Sequence, residues 1–194
     1  MHPNSQIDRL GRAIRDGTMT PEDLALLAEL RGVWQRERSW LEEQVALHST
    51  VAPVTVSGRV KNLGTLREKL HRMNGEMSTV RDIVGVRVVV QGGREEHIFT
   101  AGYVAIALAD FAPKFIDRMN NPRCGYRAVH FEIRRDGIRS EIQVRSRRQH
   151  EWAEAMEAFA DIAGRNARYV DTYDFPDLKG LTRQLARECM NALL

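Results

Sequence analysis

Between residues 58 and 72 the chain reads GRVKNLGTLREKLHR. Arg59 and Lys61 are two apart on what the pattern makes extended chain, so they point to one side. Lys69 and Arg72 are three apart on the helical stretch that follows and share its face. Four cations can thus converge on one strand–helix corner. Converging guanidinium and ammonium groups are what a triphosphate requires; the competing reading is a solvated basic face. Further on, Asp82 and Arg87 bracket and enter IVGVRVVV (83–90). An arginine among valines must be paired or ligand-bound, and a structural Arg87–Asp82 pair is the simpler local reading. GYRAVH (125–130) joins a glycine that permits close backbone approach, an aromatic ring able to stack on a base (Tyr126) and a histidine able to reach a phosphate (His130). In EIQVR (141–145), Glu141, Gln143 and Arg145 alternate with Ile142 and Val144, a polar row over an apolar one.

Elements must position these groups, and the pattern supplies them. Ile7, Leu10 and Ile14 predict a helix over 6–16. Thr20, Pro21 and Glu22-Asp23 are an N-cap, a first-turn proline and first-turn acids. They open a helix over 21–48 whose inner face is read as Leu24, Leu27, Leu30, Trp34, Leu41 and Val45. Val51, Val54 and Val56 predict a strand that Gly58 closes or bends. A short amphipathic helix follows over 64–73, a buried strand over 83–90, and a helix over 95–111. Strands at 128–134 and 138–145 are joined at Arg135-Asp136-Gly137, a hairpin signal. Helices over 147–163 and 178–193 end the pattern. Interspersed helices and strands with one hairpin predict an α+β fold, a mixed β-sheet flanked by helices.

The chain has 194 residues, 43% apolar and 28% charged, values of a globular protein rather than a disordered or fibrous one. A globule of this length buries roughly 70% of its unfolded surface without needing disulfides or a structural metal. The two cysteines, Cys124 and Cys189, have no metal-ligand spacing, which excludes a zinc ribbon. No apolar run reaches the length of a membrane span, and MHPNSQIDRL contains no signal-peptide core; the expectation is a soluble cytoplasmic protein with no membrane partner. A net charge of +3 suits a polyphosphate ligand or RNA without requiring either.

Taken in order, GRVKNLGTLREKL, DIVGVR, GYRAVHFEI and EIQVRSRRQHEWAE resemble the synthetase domain of the RelA/SpoT family of alarmone (ppGpp) synthetases, over roughly residues 54–157. With no His-Asp dipeptide for a hydrolase domain, the chain resembles a small, stand-alone member. The resemblance implies a nucleotidyltransferase-like core over 51–165, a helical extension over 1–50 and a C-terminal helix over 166–194, all in one compact domain. It implies transfer of the β,γ-pyrophosphate of ATP to a ribose 3′-hydroxyl, here of GDP or GTP. Arg59 and Arg87 match the pair that sandwiches adenine; Lys61, Lys69 and Arg72 match the phosphate clamp; Asp82 and Glu141 match the acids that hold Mg²⁺. Glu141 also matches the proton acceptor, and Tyr126 the ring that stacks on the acceptor base. His130, Gln143, Arg145 and His150 match positions on the acceptor side, and Arg123 stands in for a lysine there. Guanine-using relatives carry asparagine just before Gly-Tyr; this chain has Cys124, which lacks the paired donor and acceptor of an amide. Two alternatives therefore stay open. One is a toxic variant using adenine nucleotides or the 3′-CCA end of tRNA, with an antitoxin as partner; the other is a non-catalytic nucleotide-binding module. Small relatives form tetramers, which makes a homo-oligomer a further expectation.

Overall fold

The computed structural model describes residues 2–48, 52–123 and 125–163. The predicted C-terminal helix over 178–193 and Cys124 lie outside the described residues. Helix α1 (Asn4–Asp16) and helix α2 (Pro21–His48) come first. Thr20 and Asp23 cap α2 reciprocally: Thr20 Oγ1 accepts from the Asp23 N–H at 3.2 Å, and Asp23 Oδ2 accepts from the Thr20 N–H at 3.1 Å. The buried stripe of α2 runs through Asp23, Leu26, Leu27, Leu30, Trp34, Glu37, Leu41 and Val45. Leu24, expected inside, is 53% exposed. The capping Asp23 takes the inward position, where Arg9 pairs with it at 2.8 Å, and this turns Leu24 out.

Strand β1 (Val54–Val60) runs straight through Gly58; the glycine neither ends nor bends it. It faces α2 instead, where an added Cβ would sit 2.7 Å from Arg38 Cγ and 2.8 Å from Glu42 Cδ, so it lets the helix lie close to the strand. Helix α3 (Leu63–Arg72) is capped by Asn62, whose Oδ1 accepts from the Thr65 N–H at 2.8 Å. Strand β2 (Val84–Val90) leads into helix α4 (Arg94–Ala107). That helix stops earlier than its composition predicts, in a 3-10 turn at Ala109–Phe111 and a left-handed Ala112. The chain then forms β3 (Lys114–Asp117), an edge strand too short to show a period of two. Strands β4 (Val129–Arg135) and β5 (Ile138–Ser146) form the expected hairpin. Asp136 (φ 47°) and Gly137 (φ 77°) are both left-handed, as a two-residue turn between twisted strands demands. Helix α5 (Arg147–Ala163) closes the described chain.

The sheet order is β1-β2-β5-β4-β3. Strands β2 and β5 are parallel and every other neighbouring pair is antiparallel. Val84, Val86, Val88, Phe131, Ile133, Ile142 and Val144 share one core with Leu10 and Ile14 of α1, the α2 stripe, and Ala101 and Val104 of α4. The N-terminal helices therefore complete the sheet's core rather than extend from it. The opposite face of the sheet carries the polar rows.

Candidate active site

Strand register assembles the site. Arg59 on β1 lies opposite Gly85 on β2, which lies beside Glu141 on β5. One step along, Ser57, Arg87, Gln143 and His130 form the next row across four strands. A period of two puts both rows on the face away from the core. Gly85 is the floor between Arg59 and Glu141: a Cβ there would meet nothing nearer than the Glu141 carbonyl at 3.9 Å. A cleft of about 180 Å³ results, lined among others by Arg59, Asp82, Arg87, Glu141 and Gln143.

Asp82 precedes β2 and receives two ammonium groups, Lys69 on Oδ1 at 2.6 Å and Lys61 on Oδ2 at 3.1 Å. Burial pushes its carboxyl up, but Lys61 and Lys69 together outweigh burial and hold it below the usual range. The simple Asp82–Arg87 pair is not formed. Arg87 instead binds Glu154 of α5, Nη1 to Oε1 at 2.8 Å, because its side chain rises from the sheet toward that helix. Arg59 is exposed at the cleft edge, and Arg72 is exposed on the last turn of α3, outside the cleft lining.

Glu141 lies in a closed polar network. Its two oxygens accept from His130 Nδ1 at 2.7 Å and from Gln143 Nε2 at 2.7 Å. Arg145, 3% exposed, donates through Nη2 to Gln143 Oε1 at 2.6 Å and to Tyr126 Oη at 2.8 Å. The Tyr126 hydroxyl then donates to His130 Nε2 at 2.8 Å. These partners assign the histidine a proton on Nδ1. Burial raises the Glu141 carboxyl, the hydrogen bonds from His130 and Gln143 outweigh it, and the net shift is downward; the Asp82 charge opposes that shift. Burial raises the Tyr126 phenol despite Arg145, keeping it protonated. His130 and Tyr126 meet edge to face, with centroids 5.5 Å apart.

Tyr126 also closes a tight turn with Arg123, whose carbonyl accepts from the Tyr126 N–H at 3.0 Å around left-handed Gly125. Arg123 is exposed and outside the cleft lining. His150 on α5 is 3.8 Å from Glu154, and burial followed by the Arg87 charge lowers its pKa. The sequence reading missed Glu154 and Glu157, which line the cleft from α5. Their signal was present in HEWAEAME: Glu154 follows His150 by four residues and so shares its helical face.

Residues 58–161 match the family described as "Region found in RelA / SpoT proteins". The chain belongs to this RelA/SpoT family. An uncharacterized protein of Mycobacterium tuberculosis is 33% identical over 169 residues, which cover 86% of this chain and 62% of the relative. The RelA/SpoT match here thus spans under two thirds of that curated relative's length. A GTP pyrophosphokinase of Haemophilus influenzae is 29% identical over 111 residues, covering 56% of this chain and 15% of that protein. Among solved structures, small alarmone synthetase 1 of Bacillus subtilis bound to its product pppGpp superposes with a TM-score of 0.62 at 18% identity, covering 89% and 92% of the two chains. A GTP pyrophosphokinase family protein of Streptococcus pneumoniae gives 0.61 at 24% identity, covering 90% and 91%. The α+β fold, a mixed five-stranded sheet flanked by helices, is the fold of these RelA/SpoT-type proteins.

Proposed function

We propose that this chain is an ATP-dependent pyrophosphokinase that transfers the β,γ-pyrophosphate of ATP to the 3′-hydroxyl of GDP or GTP, releasing AMP. The observation that carries the reading is the pairing of two ionised carboxylates, Asp82 and Glu141, in one cleft with Arg59 and Arg87 on its walls and Lys61 and Lys69 on Asp82. Triphosphate oxygens would take over the lysines, and the planar guanidiniums of Arg59 and Arg87 suit the adenine faces. Arg72 would meet the phosphates from α3, and Arg87 must leave Glu154 to stack. The acceptor base stacks on Tyr126; Gln143, Arg145, His130, Arg123 and His150 form the acceptor side.

Two ionised carboxylates fit a hard divalent cation, since Mg²⁺ takes one or two protein carboxylates plus phosphate oxygens and water. Among the described residues there is no cluster of three or more metal-ligating side chains, as that division of ligands allows. The charge of Asp82 raises the Glu141 carboxyl, a repulsion that a bound cation would relieve. Mg²⁺ held by Asp82 and Glu141 would neutralise phosphate charge. The reacting atoms balance without further groups. The 3′-oxygen attacks the β-phosphorus, the bond from that phosphorus to the α–β bridging oxygen breaks, and AMP leaves with that oxygen. The hydroxyl proton passes to Glu141. A carboxylate with a depressed pKa is a weak base, so positioning and charge stabilisation carry most of the rate.

Cys124 supports a second acceptor reading, since it cannot read a guanine edge as asparagine does; adenine nucleotides or tRNA ends would then be the acceptor. γ-Labelled ATP incubated separately with GDP, GTP, ADP, excess unlabelled ATP and deacylated tRNA tests both. Label in GDP or GTP products supports the first reading. Label in adenine nucleotides or tRNA replaces it with the second, and no transfer to any acceptor leaves a non-catalytic nucleotide-binding module.

A further inference from the structure

Beyond the cleft, the carboxyl ends of the parallel strands β2 and β5 open into a larger cavity of about 640 Å³. Both strands turn there into helices, β2 through Gln91-Gly92-Gly93 into α4 and β5 through Ser146 into α5. Its lining shares no residue with the cleft that holds Asp82 and Glu141. Arg94, Arg127, Arg147 and Arg148 line it, and among the described residues no aspartate or glutamate does. Two acids adjoin these residues: Glu96 accepts from the Gly93 N–H at 2.8 Å, and Glu151 pairs with Arg147 at 2.8 Å.

His97 also lines this cavity and is 1% exposed. Its Nε2 donates to the Val144 carbonyl at 3.1 Å. Nδ1 is therefore a bare acceptor, and it has no hydrogen-bond partner among the described residues. Burial depresses the pKa of the ring, which keeps that lone pair free of a proton. A buried acceptor without a donor is costly, and guanidiniums gathered on one wall offer the forked donors that phosphate oxygens take. A ligand that brings phosphates and a hydroxyl answers both.

We propose that this cavity is a second, non-catalytic site for a phosphorylated small molecule, with its phosphates on the arginine wall and a hydroxyl donated toward His97. Crevices outside the carboxyl ends of parallel strands are the usual ligand position in open α/β sheets, and the volume lies within the range of small-molecule sites. The inference does not rest on the catalytic reading, since no lining residue is shared.

The test is an amide NMR titration of the full chain, first with inorganic tripolyphosphate and then with ribose 5-phosphate, in wild type and in Arg94→Gln/Arg147→Gln. Both substituted arginines lie outside the catalytic cleft. Saturating shifts at Gly92, Gly93 and Arg147–Gln149 are expected, with affinity reduced at least tenfold in the double variant while shifts near Lys61 and Asp82 persist. Ribose 5-phosphate should in addition move the His97 imidazole Nδ1 resonance. Shifts confined to Lys61, Lys69 and Asp82, or equal affinity in the variant, overturn the proposal. So does a short single-stranded RNA that binds through these arginines when neither small probe saturates, because the face would then be a polyanion surface.

Discussion

Glu141 accepts hydrogen bonds at both oxygens, so its orientation is fixed before any ligand arrives. Glu141→Gln preserves size but gives His130 and Gln143 an amide in place of the carboxylate, removing the charge and the proton acceptor. Transfer should fall by roughly a hundredfold or more while the variant still melts in one cooperative transition. Product formation from labelled ATP measures the first, and near-normal turnover in a folded variant would strip Glu141 of both assigned roles. Arg87 presents a different kind of question, because its ion pair with Glu154 explains the residue without any ligand. Arg87→Lys can keep that pair but loses the planar face. ATP affinity by calorimetry should drop about fivefold to tenfold, in line with a stacking contribution of about 1 kcal/mol. Unchanged affinity would make Arg87 a strand-to-helix brace only.

At the scale of the element, strands β1, β2 and β5 act as a ruler. Registering Arg59, Gly85 and Glu141 in one row leaves a gap where β2 has no side chain. Gly85→Val suits the strand, since β-branched residues pack well on a pleated surface. It should therefore preserve the melting temperature to within a few degrees while blocking the cleft floor. Loss of ATP binding with retained fold is the expected outcome; full ATP affinity in the valine variant would place the nucleotide elsewhere on this face. Helix α5 has two tasks, one covering the polar face through Glu154 and the other leaving the parallel strand end beside the arginine-lined cavity.

For the whole molecule, the cleft carboxylates set part of the acid response. Asp82 and Glu141 both titrate below their ordinary values in the folded protein. Groups with depressed folded pKa values contribute stability above their unfolded pKa and lose it as pH falls through the folded one. Wild-type stability should thus decline from about pH 4.5 downward, where unfolded carboxylates begin to bind protons. The double variant Asp82→Asn/Glu141→Gln should show a shallower decline over that window in urea unfolding series. Equal slopes would mean that other acids govern acid unfolding.

Much of this was legible in the residues. Thr20-Pro21 with Asp23, the valine run of β2 and Asp136-Gly137 each determine a local structure, since a cap, an apolar run and a left-handed pair act within a few residues. The four motifs in order carried the family. Three features needed the tertiary structure. Edge strand β3 has four residues and exists only through pairing with β4. Asp82 went to two lysines rather than Arg87, because Lys61 leaves β1 and Lys69 lies on α3, both arriving at the start of β2. The Tyr126–His130–Glu141–Gln143–Arg145 network joins the loop before β4, β4 itself and β5, and its partners depend on register. Sequence determines which side chains alternate onto a face; only pairing between distant strands decides which of them become neighbours.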